Sequence, residues 1–162
     1  MPRSPTKLLF DAGLALNATL TRRPVLRRVE EHLFTPFFVW LTRRIRGAPP
    51  APVESTPAAL GREWERLLRR GARVTSIDEA TGTAYGEITV RCPLRGTGDV
   101  AACHRLMAYD RGLMAHHGAS FVVLASQAAG GTSCRIAIRA ANLPIADLVP
   151  AHRLVRAVDR NP

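Results

Sequence analysis

Two cysteines and an aspartate, Cys92, Cys103 and Asp110, fall within nineteen residues, and a third cysteine, Cys134, follows a Gly-Gly pair. A thiolate is a nucleophile when a helix N-terminus or a nearby Arg or His lowers its pKa. A carboxylate beside it can serve as general base or orient water. Cys92 lies between Arg91 and Arg95, and Cys103 precedes His104 and Arg105. On a helix, Cys103 and His104 diverge by about 100°, so their adjacency alone makes no catalytic dyad. Three thiols could instead hold zinc or an iron–sulfur cluster, with His104, His116 or His117 as fourth donor. The ten residues between Cys92 and Cys103 depart from the about two to four of a zinc knuckle. The expectation is a site without a cofactor.

These residues need elements to bring them together. "ARVTSI" and "TAYGEITVRC" read as strands around the turn residues of "DEATG". Cys92 then ends the second strand. A helix follows from about Asp99 to Met114, capped by Thr97 or Asp99. Val100, Cys103, Met107, Asp110 and Met114 share one of its faces. That places a carboxylate in an apolar sector, where it requires a partner such as Arg95, Arg135 or a backbone N–H, or else faces a pocket. "SFVVLAS" and "SCRIAIRA" read as two more strands around "QAAGG", with Cys134 opening the last, and a final helix is expected from Pro150 to Val158. The order β-β-α-β-β predicts an α+β domain: a four-stranded antiparallel sheet with a helix across one face. If the second and fourth strands are neighbours, Cys92 and Cys134 approach the helix that bears Cys103.

Ahead of this domain, residues 58–70 predict a helix with Leu60, Trp64, Leu67 and Leu68 on one side. "GAPPAPVESTP", residues 47–57, is a proline-rich linker. Residues 1–46 form a helical segment. A first helix carries Leu8, Leu9, Leu14, Leu16 and Leu20. A second runs from about Pro24 to Arg46, with Pro36 expected to kink it. Its window "LFTPFFVWL" has nine apolar-rich residues, short of the about 20 that cross a bilayer. Arginines flank that window on both sides. The expectation is a hairpin packed on its own domain with its arginines solvated. The alternative is an arm for a protein partner or a membrane surface.

A formal net charge of +10 invites a nucleic-acid reading, but its distribution argues against one. Of the 23 basic residues only Lys7 is lysine, and the arginines are spread along the chain. No aromatic-basic interleaving, zinc-finger spacing or basic recognition helix is present. The apolar run near the N-terminus is interrupted at Asp11, unlike a secretory leader. The odd number of cysteines then points to reduced thiols in a cytoplasmic protein, with membrane association through residues 1–46 as the added alternative.

"RCPL", "LMAYDRGLM" and "FVVLASQAAGGTSCRIAI" together resemble the L-2-amino-thiazoline-4-carboxylic acid hydrolase-like family over about residues 89–138. The matching positions are Cys92-Pro93, Asp110, and Gly130-Gly131 with Cys134. Met107 stands where the family often has a cysteine, and Gly131 where an acidic or amide residue is frequent. A sparser likeness is to the 4-vinyl reductase domain. The first resemblance implies a hydrolase that opens a small cyclic amidine or thiazoline with water. Cys92, Cys103 and Cys134 would supply the nucleophile or shape the pocket, Asp110 would act on water, and His104, Met107, Gly131 and Arg135 would bind substrate. A non-catalytic metal- or small-molecule-binding accessory protein is the competing expectation.

Overall fold

A computed structural model describes residues 5–23, 29–47, 53–68 and 71–158. Its helices are α1 (Pro5–Arg22), α2 (Thr35–Arg46), α3 (Pro57–Leu68), α4 (Val100–Leu106), α5 (Ala108–His116) and α6 (Ala151–Val158). Its strands are β1 (Ala72–Asp78), β2 (Thr83–Ile88), β3 (Ala119–Ala125) and β4 (Cys134–Ala140). They form one antiparallel sheet in the order β1-β2-β4-β3. This is the α+β arrangement expected from the sequence, and β2 and β4 are neighbours, with Ile88 opposite Cys134.

One sheet face meets the helices. Trp64 and Leu60 of α3, Leu113 and Met114 of α5, and Phe121, Ile136 and Ile138 of the sheet share a single core. Close approach of α3 depends on glycine in β2. A Cβ at Gly86 would stand 2.7 Å from the Trp64 ring and 2.9 Å from the Arg73 carbonyl oxygen. The opposite face is covered more thinly, by Leu148 over Val122 and Ala137. Arg139 secures that cover: its guanidinium donates to both Asp147 carboxylate oxygens at 2.7 and 2.8 Å, to Thr83 Oγ1 at 2.8 Å, and to the Pro144 carbonyl.

The N-terminal helices pack on this body. Ala18 of α1 enters the core, and Arg105 Nε donates to the Thr21 carbonyl at 2.7 Å. Leu16, expected on the buried face of α1, is exposed. Leu8, Leu9 and Leu14 lie outside the described side chains. In the second helical stretch, a π-helical turn (Glu30–Phe34) runs into α2, and Pro36 occupies the first turn of α2. Phe34 just before α2 is itself helical, at φ −66° and ψ −54°, so Pro36 lies inside one continuous helical run, and the widened π turn directly before it is the irregularity that accompanies its missing N–H. The start expected at Pro24 and the middle of the proline-rich linker, 48–52, lie outside the described residues.

The helix expected over Asp99 to Met114 is divided at Met107, which ends α4 and precedes α5. The i to i−4 bonds persist across the division, from Met107 N to Cys103 O and from Arg111 N to Met107 O. The shared face therefore survives: Val100, Cys103, Met107, Asp110 and Met114 are all buried.

Candidate functional site

The candidate site lies where the sheet ends at the Ile88–Cys134 pair. Cys134 opens β4, as expected. Cys92 does not end β2: the strand stops at Ile88, and Cys92 sits four positions further on, in a loop. The reason is a side chain that interrupts the ladder. Gln127 Nε2 donates to the Ile88 and Val90 carbonyls at 3.2 and 2.8 Å, and its Oε1 accepts from the Cys92 N–H at 3.1 Å. The loop continues through Gly96 and Gly98, both at positive φ. Their N–H groups bond the carbonyls of Gln127 and Ala128, each at 2.9 Å. Only glycine takes this backbone conformation without strain. Asp99 then caps α4, accepting from the Ala102 N–H at 2.7 Å.

Against this frame, Cys103 and Cys134 shift each other's ionisation, with no hydrogen bond of ordinary geometry between the two sulfurs. Ser126 Oγ donates to Cys103 Sγ at 2.9 Å and itself accepts from the Ala128 N–H at 3.0 Å. The Gln127 N–H points at Cys134 Sγ from 3.3 Å. Each sulfur thus has its own donor, Ser126 Oγ on Cys103 and the Gln127 N–H on Cys134. The Cys103 thiol is pushed up, first by the neighbouring Cys134, then by burial. The Cys134 thiol is held below its ordinary value, chiefly by the neighbouring Cys103, while burial opposes and the Gln127 N–H assists. Cys92 is pushed up by burial, against a 3.4 Å bond from the Leu94 N–H. All three are free thiols, with Cys92 half-buried and Cys103 and Cys134 only 2 and 3 % exposed.

Asp110 is 7 % exposed, and neither Arg95 nor Arg135, both exposed, pairs with it. Trp64 Nε1 approaches the carboxylate without closing a bond of ordinary geometry. Trp64 Nε1 and Asp110 Oδ1 both remain buried without a hydrogen-bond partner. Burial pushes the Asp110 carboxyl up to about 7, against the weaker opposing pulls of Trp64, its own N–H and Arg111. Its charge is felt by both Cys103 and Cys134, while Cys92 feels Cys103 and is felt by Cys134. The three sulfurs and the carboxylate thus lie within electrostatic reach of one another.

Comparison with protein-family models, curated proteins and solved structures finds no match to this chain.

The residues expected to bind substrate scatter. Met107 is in the core. His104 stacks on His152, ring centroids 3.8 Å apart, with its Nδ1 3.4 Å from an Arg111 nitrogen. Gly131 is exposed, and Arg135 faces away from the core beside the inward-facing Cys134 and Ile136. His117 pairs with Glu63 at 3.3 Å rather than with a thiol. Among the described residues no three His, Cys, Asp or Glu side chains are grouped as a metal ion requires. Ser126 and Gln127 were not singled out by sequence. A Ser-Gln pair after a strand has no signature, and only the fold reveals that both address the sulfurs.

Proposed function

We propose that the chain is a thiol-dependent hydrolase acting on a small cyclic amidine or thiazoline, with Cys134 as nucleophile and Asp110 as proton carrier. The observation that carries this reading is the donor that each buried sulfur receives, Ser126 Oγ on Cys103 and the Gln127 N–H on Cys134, with a carboxyl near neutrality close enough to act on both. The sequence resemblance over residues 89–138 supports the substrate class. In the first step the Cys134 thiolate adds to the carbon of the ring C=N bond, and the π pair moves to nitrogen. That pair re-forms the C=N bond as the bond from the carbon to a ring heteroatom breaks; the breaking pair leaves on the heteroatom, which takes the Asp110 proton. Asp110, now ionised, takes a proton from water as the water oxygen adds to the same carbon and the π pair again moves to nitrogen. The pair returns as the C–S bond breaks, and Cys134 leaves as thiolate. Perturbed groups split in this way suit general acid–base work at neutral pH. Cys103 and Cys134 are both covered, so the reading requires that substrate gain access to them.

The burial of both sulfurs favours a second reading, a non-catalytic binding protein whose thiols line a ligand site. Two measurements separate the readings. The first is iodoacetamide labelling of the intact chain mapped by mass spectrometry across pH. The second is release of thiol or amine from a panel of five-membered cyclic amidines and thiazolines. The hydrolase predicts early label on Cys134 and turnover that Cys134→Ser abolishes. Label confined to Cys92, with no turnover of any ring, leaves the binding reading in its place.

A further inference from the structure

Helix α2 is held to the body on one side only. Thr42 Oγ1 and Tyr109 Oη are 2.7 Å apart, Val39 packs against Gly112, and the Arg46 carbonyl accepts from Arg66 Nη1 at 3.2 Å. The other side is apolar and open. Leu33 is 65 % exposed, Phe37 52 %, Trp40 56 % and Ile45 70 %, and no residue of α2 is fully buried. The rings form a continuous strip: Phe37 lies 5.5 Å from Phe38 and 6.0 Å from Trp40, and Phe34 lies 5.8 Å from Phe38. From Leu33 to Ile45 this face is about 18 Å long at 1.5 Å per residue. Arg43, Arg44 and Arg46 occupy its last turn, and Arg22 and Arg23 at the end of α1 are also exposed.

We propose that α2 is an interfacial helix that seats this protein on an anionic lipid surface. An exposed aromatic-aliphatic face edged by arginines is what such a surface recognises: rings enter the headgroup boundary while guanidinium groups meet phosphate. No described helix is long and apolar enough to cross a bilayer, so α2 lies in the interface. Charge selects lipid over a second copy of this chain. At a formal +10 two copies repel, whereas an anionic leaflet attracts. The anchors at Thr42, Val39 and Arg46 fix the helix beforehand, so little ordering opposes binding.

The test is flotation of the full chain with vesicles of phosphatidylcholine containing about one third phosphatidylglycerol, against phosphatidylcholine alone. Binding is expected on the anionic vesicles, weakening as salt rises. Each arginine near such a surface contributes a factor of about five, so Arg43→Gln with Arg44→Gln lowers the partition coefficient about thirtyfold. Phe37→Ser with Trp40→Ser removes two half-exposed rings and lowers it by a similar factor of about thirty. Both double variants should unfold at the parent temperature, because the altered side chains face outward. The proposal is overturned by equal binding to neutral and anionic vesicles, or by variants that bind like the parent. It is also overturned if Phe37→Ser/Trp40→Ser lowers the unfolding temperature markedly, or splits a dimer seen by sedimentation.

Discussion

Replacing Asp110 by Asn tests the electrostatics of the site without disturbing its shape. The folded carboxyl titrates near 7, against an ordinary value of 3.8. Between these values the unfolded chain has lost the proton that the folded chain keeps. Stability therefore falls as pH rises through this window and levels off above the folded value. The interval of about three units corresponds to about 4 kcal/mol, of which about 3 kcal/mol falls between about pH 5 and pH 8. Asn mimics the protonated acid and cannot ionise. Urea unfolding of the two proteins at matched pH, followed by circular dichroism, should give a difference that grows by roughly that amount in favour of Asn. Histidine titrations common to both cancel in the difference. Parallel pH profiles would show that Asp110 is ionised throughout the native state, and the proton-carrying role assigned to it would be lost.

Other outcomes follow from the same geometry. Gln127→Leu leaves the Ile88 and Val90 carbonyls and the Cys92 N–H without their partner, and should cost about 3 kcal/mol or more in urea unfolding. It should also speed alkylation of Cys92. Gly86→Ala drives a Cβ into the Trp64 ring and should destabilise by about 1–3 kcal/mol, measurable as a lower denaturation midpoint. Burial holds His117 below its ordinary value despite the neighbouring Glu63. The stability it contributes is present above about pH 6.5 and lost as pH falls through the lower folded value. His117→Gln should flatten the acid limb of the stability profile there. Ser126→Ala removes a donor that lowers the Cys103 thiol and should slow alkylation of Cys103 in unfolding-free conditions across pH, read by mass spectrometry.

The parts of this architecture legible from sequence are those written in periodicity. Runs such as "SFVVLAS" and "SCRIAIRA" set off by turn residues marked the four strands. The 3.6-residue spacing placed Val100, Cys103, Met107, Asp110 and Met114 on one buried face, even though the helix divides at Met107. Leu60, Trp64 and Leu67 were readable on α3 for the same reason. What escaped was decided by single distant partners. β2 stops at Ile88 because Gln127, 39 residues away, takes its carbonyl. Asp110 attracted expectations of Arg95, Arg135, a backbone N–H or a pocket; neither arginine pairs with it, and Trp64 and its own N–H supply the main pulls that oppose burial. The divergence of His104 from Cys103 was readable from helical geometry, but its stacking on His152, 48 positions away, was not. The exposure of Leu16 and of the α2 aromatics likewise depends on which side of each helix the body occupies, and composition carries no record of that.

The bracket made by Gln127 has a bearing on how the chain matures. Its partners at Cys92, Val90 and Ile88 are separated from it by 35, 37 and 39 residues, and Cys134 arrives later still. Cys92 and Cys134 therefore reach their places on Gln127 only once chain far apart in sequence has come together, which puts the assembly of this corner late in folding.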